Sequence, residues 1–259
     1  MGNGNESLSL GPGSGAASGE APVFLSIGQT RPTSAYPFRN PRPLAIAVTV
    51  FAAAQILAIA LQAVGVVLRL DVLARFSAGQ FPTQEAIASG ARLGDNLVQG
   101  SSVAFLIAYV IGYCLGGRWI YVAACNVRAL GAHGFDNTPG WAVGWYFIPF
   151  MNWFKPFSAM SEIDRASHAP EGWRSRGDPL ILRYWWAGWV ISGLAGYAIG
   201  IIPGEPTAAD GLRTLSWFML VFAVVEIAAV GLFLAVVWRI ARAQMASRHR
   251  VNQVAEAFS

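Results

Sequence analysis

Four stretches of the chain, Leu44 to Leu70, Ser101 to Ala124, Leu180 to Ile202 and Thr214 to Trp238, are apolar and almost free of charge. Each reaches the roughly 20 residues that a helix needs to cross about 30 Å of hydrocarbon. Inside a bilayer the backbone N–H and C=O groups of a single span have no water to bond, so such a stretch is stable there as a helix. Composition points the same way, with 54% hydrophobic and 12% charged residues, and no stretch remains for a second, soluble domain. The expected fold is an all-α integral membrane protein built on a four-helix transmembrane bundle.

A fifth apolar stretch does not fit that pattern. Eight of the seventeen residues from Trp141 to Phe157 are aromatic, Pro149 and Pro156 each remove a backbone donor, and Asn152 and Lys155 interrupt the apolar run. Aromatic rings at this density favour the membrane–water interface. A helix broken at Pro149 leaves arms of about 12 Å, too short to cross singly. The segment 139–168 is therefore expected to be a Pro-broken, re-entrant or interfacial element, with a helix from Pro156 to about His168 on which Glu162 and Arg165 can pair.

Residues 1–38 are rich in Gly, Ser and Pro and read as a disordered tail. The membrane domain covers 39–245, and 246–259 forms a basic, helical C-terminal tail. The stretch from Asp71 to Gly100 lacks a strong apolar period and reads as a surface loop with a short helix. In the third span, Gly188, Ser192, Gly196 and Gly200 recur at every fourth place, a stripe suited to close helix packing. Cys114 and Cys125 lie about 16 Å apart on one helix, too far for a disulfide, and read as small packing residues.

Charge sets the orientation. If 139–157 crossed the bilayer with the N-terminus inside, the arginines from Arg165 to Arg183 and those of the C-terminal tail would lie outside, against the positive-inside rule. If it returns, fourteen of the eighteen basic residues lie on the cytoplasmic side. Both termini and the region around Arg174 are then cytoplasmic, and the loops near Glu85 and Asp210 are outside. The partners this implies are a bilayer with anionic headgroups on the cytoplasmic side, and a membrane protein or a second copy of the chain; nucleic acid is a poor alternative.

The run PGWAVGWYFIPFMNWFKPFSAMSEIDRAS, with CNVRALG before it and YWWAGW and RIARAQ after it, resembles the bacterial family called domain of unknown function 4328 over about Leu44 to Gln244. The motif that carries the resemblance comprises Pro149, Asn152, Pro156, Met160, Glu162, Arg165 and Ser167. The chain departs from the family pattern at Asp164, where Trp is expected, and at Trp153, where Leu is expected. The resemblance implies a multi-span membrane protein, located in the bacterial inner membrane, with no established activity.

No His/Cys/carboxylate cluster has metal spacing, and no nucleophile elbow, Walker loop or zinc-protease motif occurs. The sequence therefore names no catalytic residue, metal or cofactor. Glu226 stands apart, close to mid-membrane in the fourth span. An ionised carboxylate there costs at least about 2.5 kcal/mol, so it is expected to face the bundle and hold its proton. Depth counting places Gln55, Tyr113 and Ser192 at its level, a buried polar layer in which Glu226 is expected to bond Gln55, Ser192 or Tyr113. Glu162 or Asp164 is expected to lie near Arg118 or Arg128 and to dock the broken segment there. Taken together, these features describe a non-enzymatic accessory or assembly protein, with a small transporter or proton-coupled sensor using Glu226 as the alternative.

Overall fold

The structure, a computed structural model, describes residues 35–80, 83–200 and 208–257. The tail expected over 1–38 lies outside them except for 35–38. Every regular element among the described residues is helical.

Helix α1 (Arg42–Ser77) starts on Pro43, whose fixed backbone suits a first turn. Helix α2 (Gln84–Ala129) starts where the Thr83 side chain accepts the Ala86 N–H at 3.3 Å, with Glu85 beside the positive end of the helix. The two run antiparallel along their whole length. Their closest approach is glycine on glycine: a Cβ on Gly65 would sit 2.8 Å from the Gly94 carbonyl oxygen, and one on Gly94 would sit 2.9 Å from that of Gly65. The Arg69 Nε bonds Asp95 at 2.7 Å and the Gln62 side chain bonds Ser102 at 2.9 Å on either side of this contact. The expected loop over Asp71–Gly100 is thus mostly helix, the end of α1 and the start of α2. Its stability comes from pairing between helices, which leaves no apolar period in either one.

Helix α6 (Ala209–Ala257) runs antiparallel to α1, from Arg213 near Ser77 to Trp238 bonding Thr49. Helix α5 (Leu180–Gly200) lies against it, with Gly188 seated on Ala229 and Trp185 on Phe233. Among the described residues three helices, α1, α2 and α6, are long and apolar enough to cross a membrane. Helix α5 carries Arg183, three tryptophans and four glycines among its apolar side chains.

Burial is inverted relative to a water-soluble bundle. At mid-helix Val50, Leu57, Leu106 and Val224 are more than half exposed, at 59%, 60%, 60% and 68%. Such apolar exteriors need lipid or a partner to cover them. At the other extreme, Asn126, Gln244 and Ser167 are fully buried at one end of the bundle. There α2 and α6 extend past their apolar stretches and enclose a core of Trp119, Met160, Leu182 and Ile240.

The aromatic segment fills the space between these extensions. Helix α3 (Pro139–Gly144) is capped by the Thr138 hydroxyl, which accepts the Trp141 N–H. Two 3-10 turns follow, Trp145–Phe147 and Met151–Trp153, and then helix α4 (Lys155–His168), with Pro156 in its first turn. Between the turns Phe150 takes a φ of 64°, a conformation that costs a non-glycine residue on the order of 1–3 kcal/mol. The two arms stay in contact, and the exposed tip carries Phe147, Phe150 and Phe154.

Candidate functional site

The sequence-derived residues separate into two places. The first is a cavity of about 920 Å³ within the bundle, lined from α1, α2, α5, α6 and the turn after α3. All four members of the expected polar layer, Gln55, Tyr113, Ser192 and Glu226, face it, together with Gln62 and Ser102. The layer does not close by direct bonds. Among the described residues Glu226 makes no hydrogen bond to Gln55, Tyr113 or Ser192, and the buried Ser192 hydroxyl has no partner. Tyr146, whose hydroxyl is also buried and unpartnered, joins the same wall. Its ring meets those of Tyr113 and Trp189 edge to face, at 6.3 and 5.9 Å, and so fixes the broken segment against α2 and α5.

The small-residue stripe of α5 divides its roles accordingly. Gly188 packs on α6, where a Cβ added to it would stand 3.2 Å from the Ala229 methyl group. A Cβ on Gly196 would meet nothing within 4 Å, and both Ser192 and Gly196 face the cavity. Of Gly200 only its place at the end of α5 is described.

The second place is the junction beneath the cavity, where α4 is held by polar groups on both faces. Glu162 accepts the N–H groups of Asp136 and Asn137 at 3.2 and 3.3 Å. Arg128 reaches the same loop from the other side, donating to the Asn137 carbonyl and covering the Phe135 ring at 4.3 Å. The expected docking of Glu162 on Arg128 is thus relayed through the 136–137 backbone. Asp164, 1% exposed, pairs with neither expected arginine but with Arg239 of α6, at 2.9 and 3.4 Å. Arg118 lies at the inner end of the cavity, and Arg165 faces Asp178 at 3.6 Å instead of Glu162. Helix rotation explains both differences: the turn at 151–153 sets α4 so that Asp164 points to α6 and Glu162 to the loop after α2.

Ser167 belongs to a fully buried chain of amides and hydroxyls. The Asn126 side chain accepts the Arg39 N–H at 2.8 Å and donates to the Arg39 carbonyl and to Gln244 Oε1 at 2.7 and 2.9 Å. Gln244 donates to the Ala123 carbonyl and to Ser167 Oγ at 3.0 and 3.1 Å, and Ser247 donates to the Ser167 carbonyl at 3.0 Å. Elsewhere in the motif, Pro156 and Met160 are buried, while Pro149 is exposed beside Phe150. The Asn152 side-chain oxygen is buried without a partner.

The family model described as Domain of unknown function (DUF4328) matches residues 83–242, more than half of the chain. The chain belongs to this family. No curated protein and no solved structure matches it. The DUF4328 match takes in the broken segment, α5, all of α2 and most of α6, so Asn126, Glu162, Ser167 and Glu226 all fall within it. Gln55 on α1 and Gln244 near the end of α6 fall outside it, although one faces the cavity and the other completes the buried amide chain.

Residue reasoning missed Asn126, Arg239 and Gln244 as a group. Their signal was present in the stretches CNVRALG and RIARAQ, where an amide or a guanidinium sits in a helix just past an apolar run. Such a position reads as solvated until another element is known to cover it. Among the described residues no group of three or more His, Cys, Asp or Glu side chains could hold a metal ion.

Proposed function

We propose that this DUF4328 protein is a four-span membrane protein that takes a small ligand into its intramembrane cavity, in the class of small transporters or proton-coupled sensors. The observation that supports this reading is the cavity itself: about 920 Å³, walled mainly by apolar and aromatic side chains, with a few polar groups among them. Ligand sites have this size and this mixture. A helix-association role alone would favour closing the polar layer by direct bonds, because unpaired donors and acceptors are costly in hydrocarbon. In this reading α5 is the third of the four spans, its Trp185, Trp186 and Trp189 at the interface. The broken segment is re-entrant from the cytoplasmic side of a bacterial inner membrane, and both termini are cytoplasmic.

Binding of a neutral fluorescent lipophile such as Nile red to the purified protein tests the cavity. Saturable binding with energy transfer from Trp185 and Trp189 is expected, and Ser192→Trp, which fills the space, should abolish it. Unsaturable partitioning, unchanged in Ser192→Trp, sinks the reading.

The accessory or assembly reading has its own support in the exposed tip of Phe147, Phe150 and Phe154 and in the exposed apolar faces of α1 and α6. The two readings part at Glu226→Gln. A transporter or sensor loses its response, whereas an accessory protein tolerates a side chain that still offers a donor and an acceptor.

A further inference from the structure

Glu226 is the one carboxylate on the cavity wall among the described residues, and no hydrogen bond or ion pair there engages it. The nearest cationic group on that wall is Arg118, at the inner end. Gly116 packs on Phe233, seven residues along α6 from Glu226, so Arg118 lies more than about 10 Å away in depth. The same wall carries the rings of Phe105, Tyr109, Tyr113, Tyr146, Trp189 and Phe222.

A lone acid among ring faces selects by charge. An anion gains nothing from a group that is neutral when protonated and repels it when ionised. A neutral ligand leaves the carboxyl group protonated, because ionised side chains are costly in hydrocarbon. A cation satisfies the carboxylate and the rings together, since aromatic faces carry the negative end of their quadrupole. The apolar remainder of the wall demands a charge that is spread out or screened by carbon, because a compact hydrated cation would have to be stripped of water.

We propose that the cavity binds a lipophilic monovalent cation, held by the Glu226 carboxylate and the surrounding aromatic rings in exchange for a proton. This rests on the reading of the cavity as a ligand site. In the empty protein the carboxyl group carries its proton. On binding, the O–H bond breaks, the proton leaves to water, and the carboxylate becomes the counter-ion of the incoming cation, so net charge in the cavity is unchanged. The other titratable groups facing it are Tyr109, Tyr113, Cys114 and Arg118 of α2 and Tyr146 of the broken segment. These side-chain types ordinarily titrate well above a carboxylate. Helices α1 and α5 contribute amides, a hydroxyl and indoles. Cation affinity therefore falls as pH falls, because protons compete for the one acid.

Equilibrium dialysis of the full-length protein in mild detergent against radiolabelled tetraphenylphosphonium tests the proposal. Saturable binding is expected, weaker at mildly acidic than at mildly alkaline pH, with a proton released for each cation bound in unbuffered solution. Glu226→Gln should weaken binding by about tenfold or more, an amount equivalent to about 1.4 kcal/mol, while Glu226→Asp keeps the pH dependence. Circular dichroism and thermal unfolding establish that both variants are folded. A folded Glu226→Gln that binds the cation as well as wild type overturns the proposal, as does binding that is indifferent to pH. If Nile red binds saturably and tetraphenylphosphonium does not, the charge selection is wrong and the cavity reading stands. If neither binds, the cavity reading falls as well.

Discussion

Asn126 joins three parts of the chain through one amide. It ties its own helix α2 to the Arg39 backbone before α1 and to Gln244 of α6. Replacing it with Ala orphans the buried Gln244 oxygen, and a buried unsatisfied group costs about 1–3 kcal/mol. Asn126→Ala is therefore expected to lower Tm in detergent by more than a surface change such as Arg92→Ala, a comparison that thermal unfolding makes directly. Asp164 is the second sensitive point, because its buried carboxylate depends on Arg239. Removing the guanidinium leaves the buried carboxylate with only the His168 ring nearby, at 3.7 Å, and breaking such a pair costs up to about 3–5 kcal/mol, whereas removing both partners costs less. Arg239→Ala should accordingly destabilise more than the double variant Asp164→Leu/Arg239→Met. Equal losses in unfolding measurements would mean that the pair carries no coupling.

Helix α1 lies against α2 because neither has a side chain at the crossing. At Gly65 a Cβ would meet a backbone oxygen at 2.8 Å, which cannot move aside as a side chain can. Gly65→Leu should push the helices apart and break the Arg69–Asp95 bond. Loss of cross-linking between cysteines placed at positions 62 and 102 would report it, and efficient cross-linking would show that the helices rotate to accommodate the change. The broken segment is governed by a different term. Phe150 holds a left-handed backbone at an exposed site. Glycine removes that strain and alanine does not. Phe150→Gly is expected to unfold at a temperature equal to or above wild type, and Phe150→Ala below it. The reverse order would show that the ring's contacts outweigh the backbone.

At the scale of the molecule, the arrangement of charge and apolar surface decides orientation. Helices α2 and α6 continue past their apolar stretches into the end that holds α4, the buried amides and Arg174, so this end belongs in water or headgroups and the exposed aliphatic faces in lipid. Single cysteines near residue 174 and at either terminus, in a background with Cys114 and Cys125 replaced, should react only from the cytoplasmic side. Cysteines near Glu85 and Asp210 should react only from outside. Labelling of position 174 from outside, with the N-terminus inside, would make the aromatic segment a fifth crossing.

Sequence by itself determined the class of this protein, because charge-free apolar runs longer than a bilayer have one stable form, and it marked the aromatic segment as broken, because Pro149 and Pro156 cannot donate. It also drew attention to Glu226, Gln55, Tyr113 and Ser192, since periodicity and depth follow from 1.5 Å per residue. Only the tertiary structure decided that these four face a shared cavity instead of bonding to one another, that Asp164 reaches Arg239, and that residues 71–100 are mostly helix. Those outcomes depend on the rotation of each helix about its axis and on contacts between residues far apart in the chain. Spacing within one segment carries no record of either.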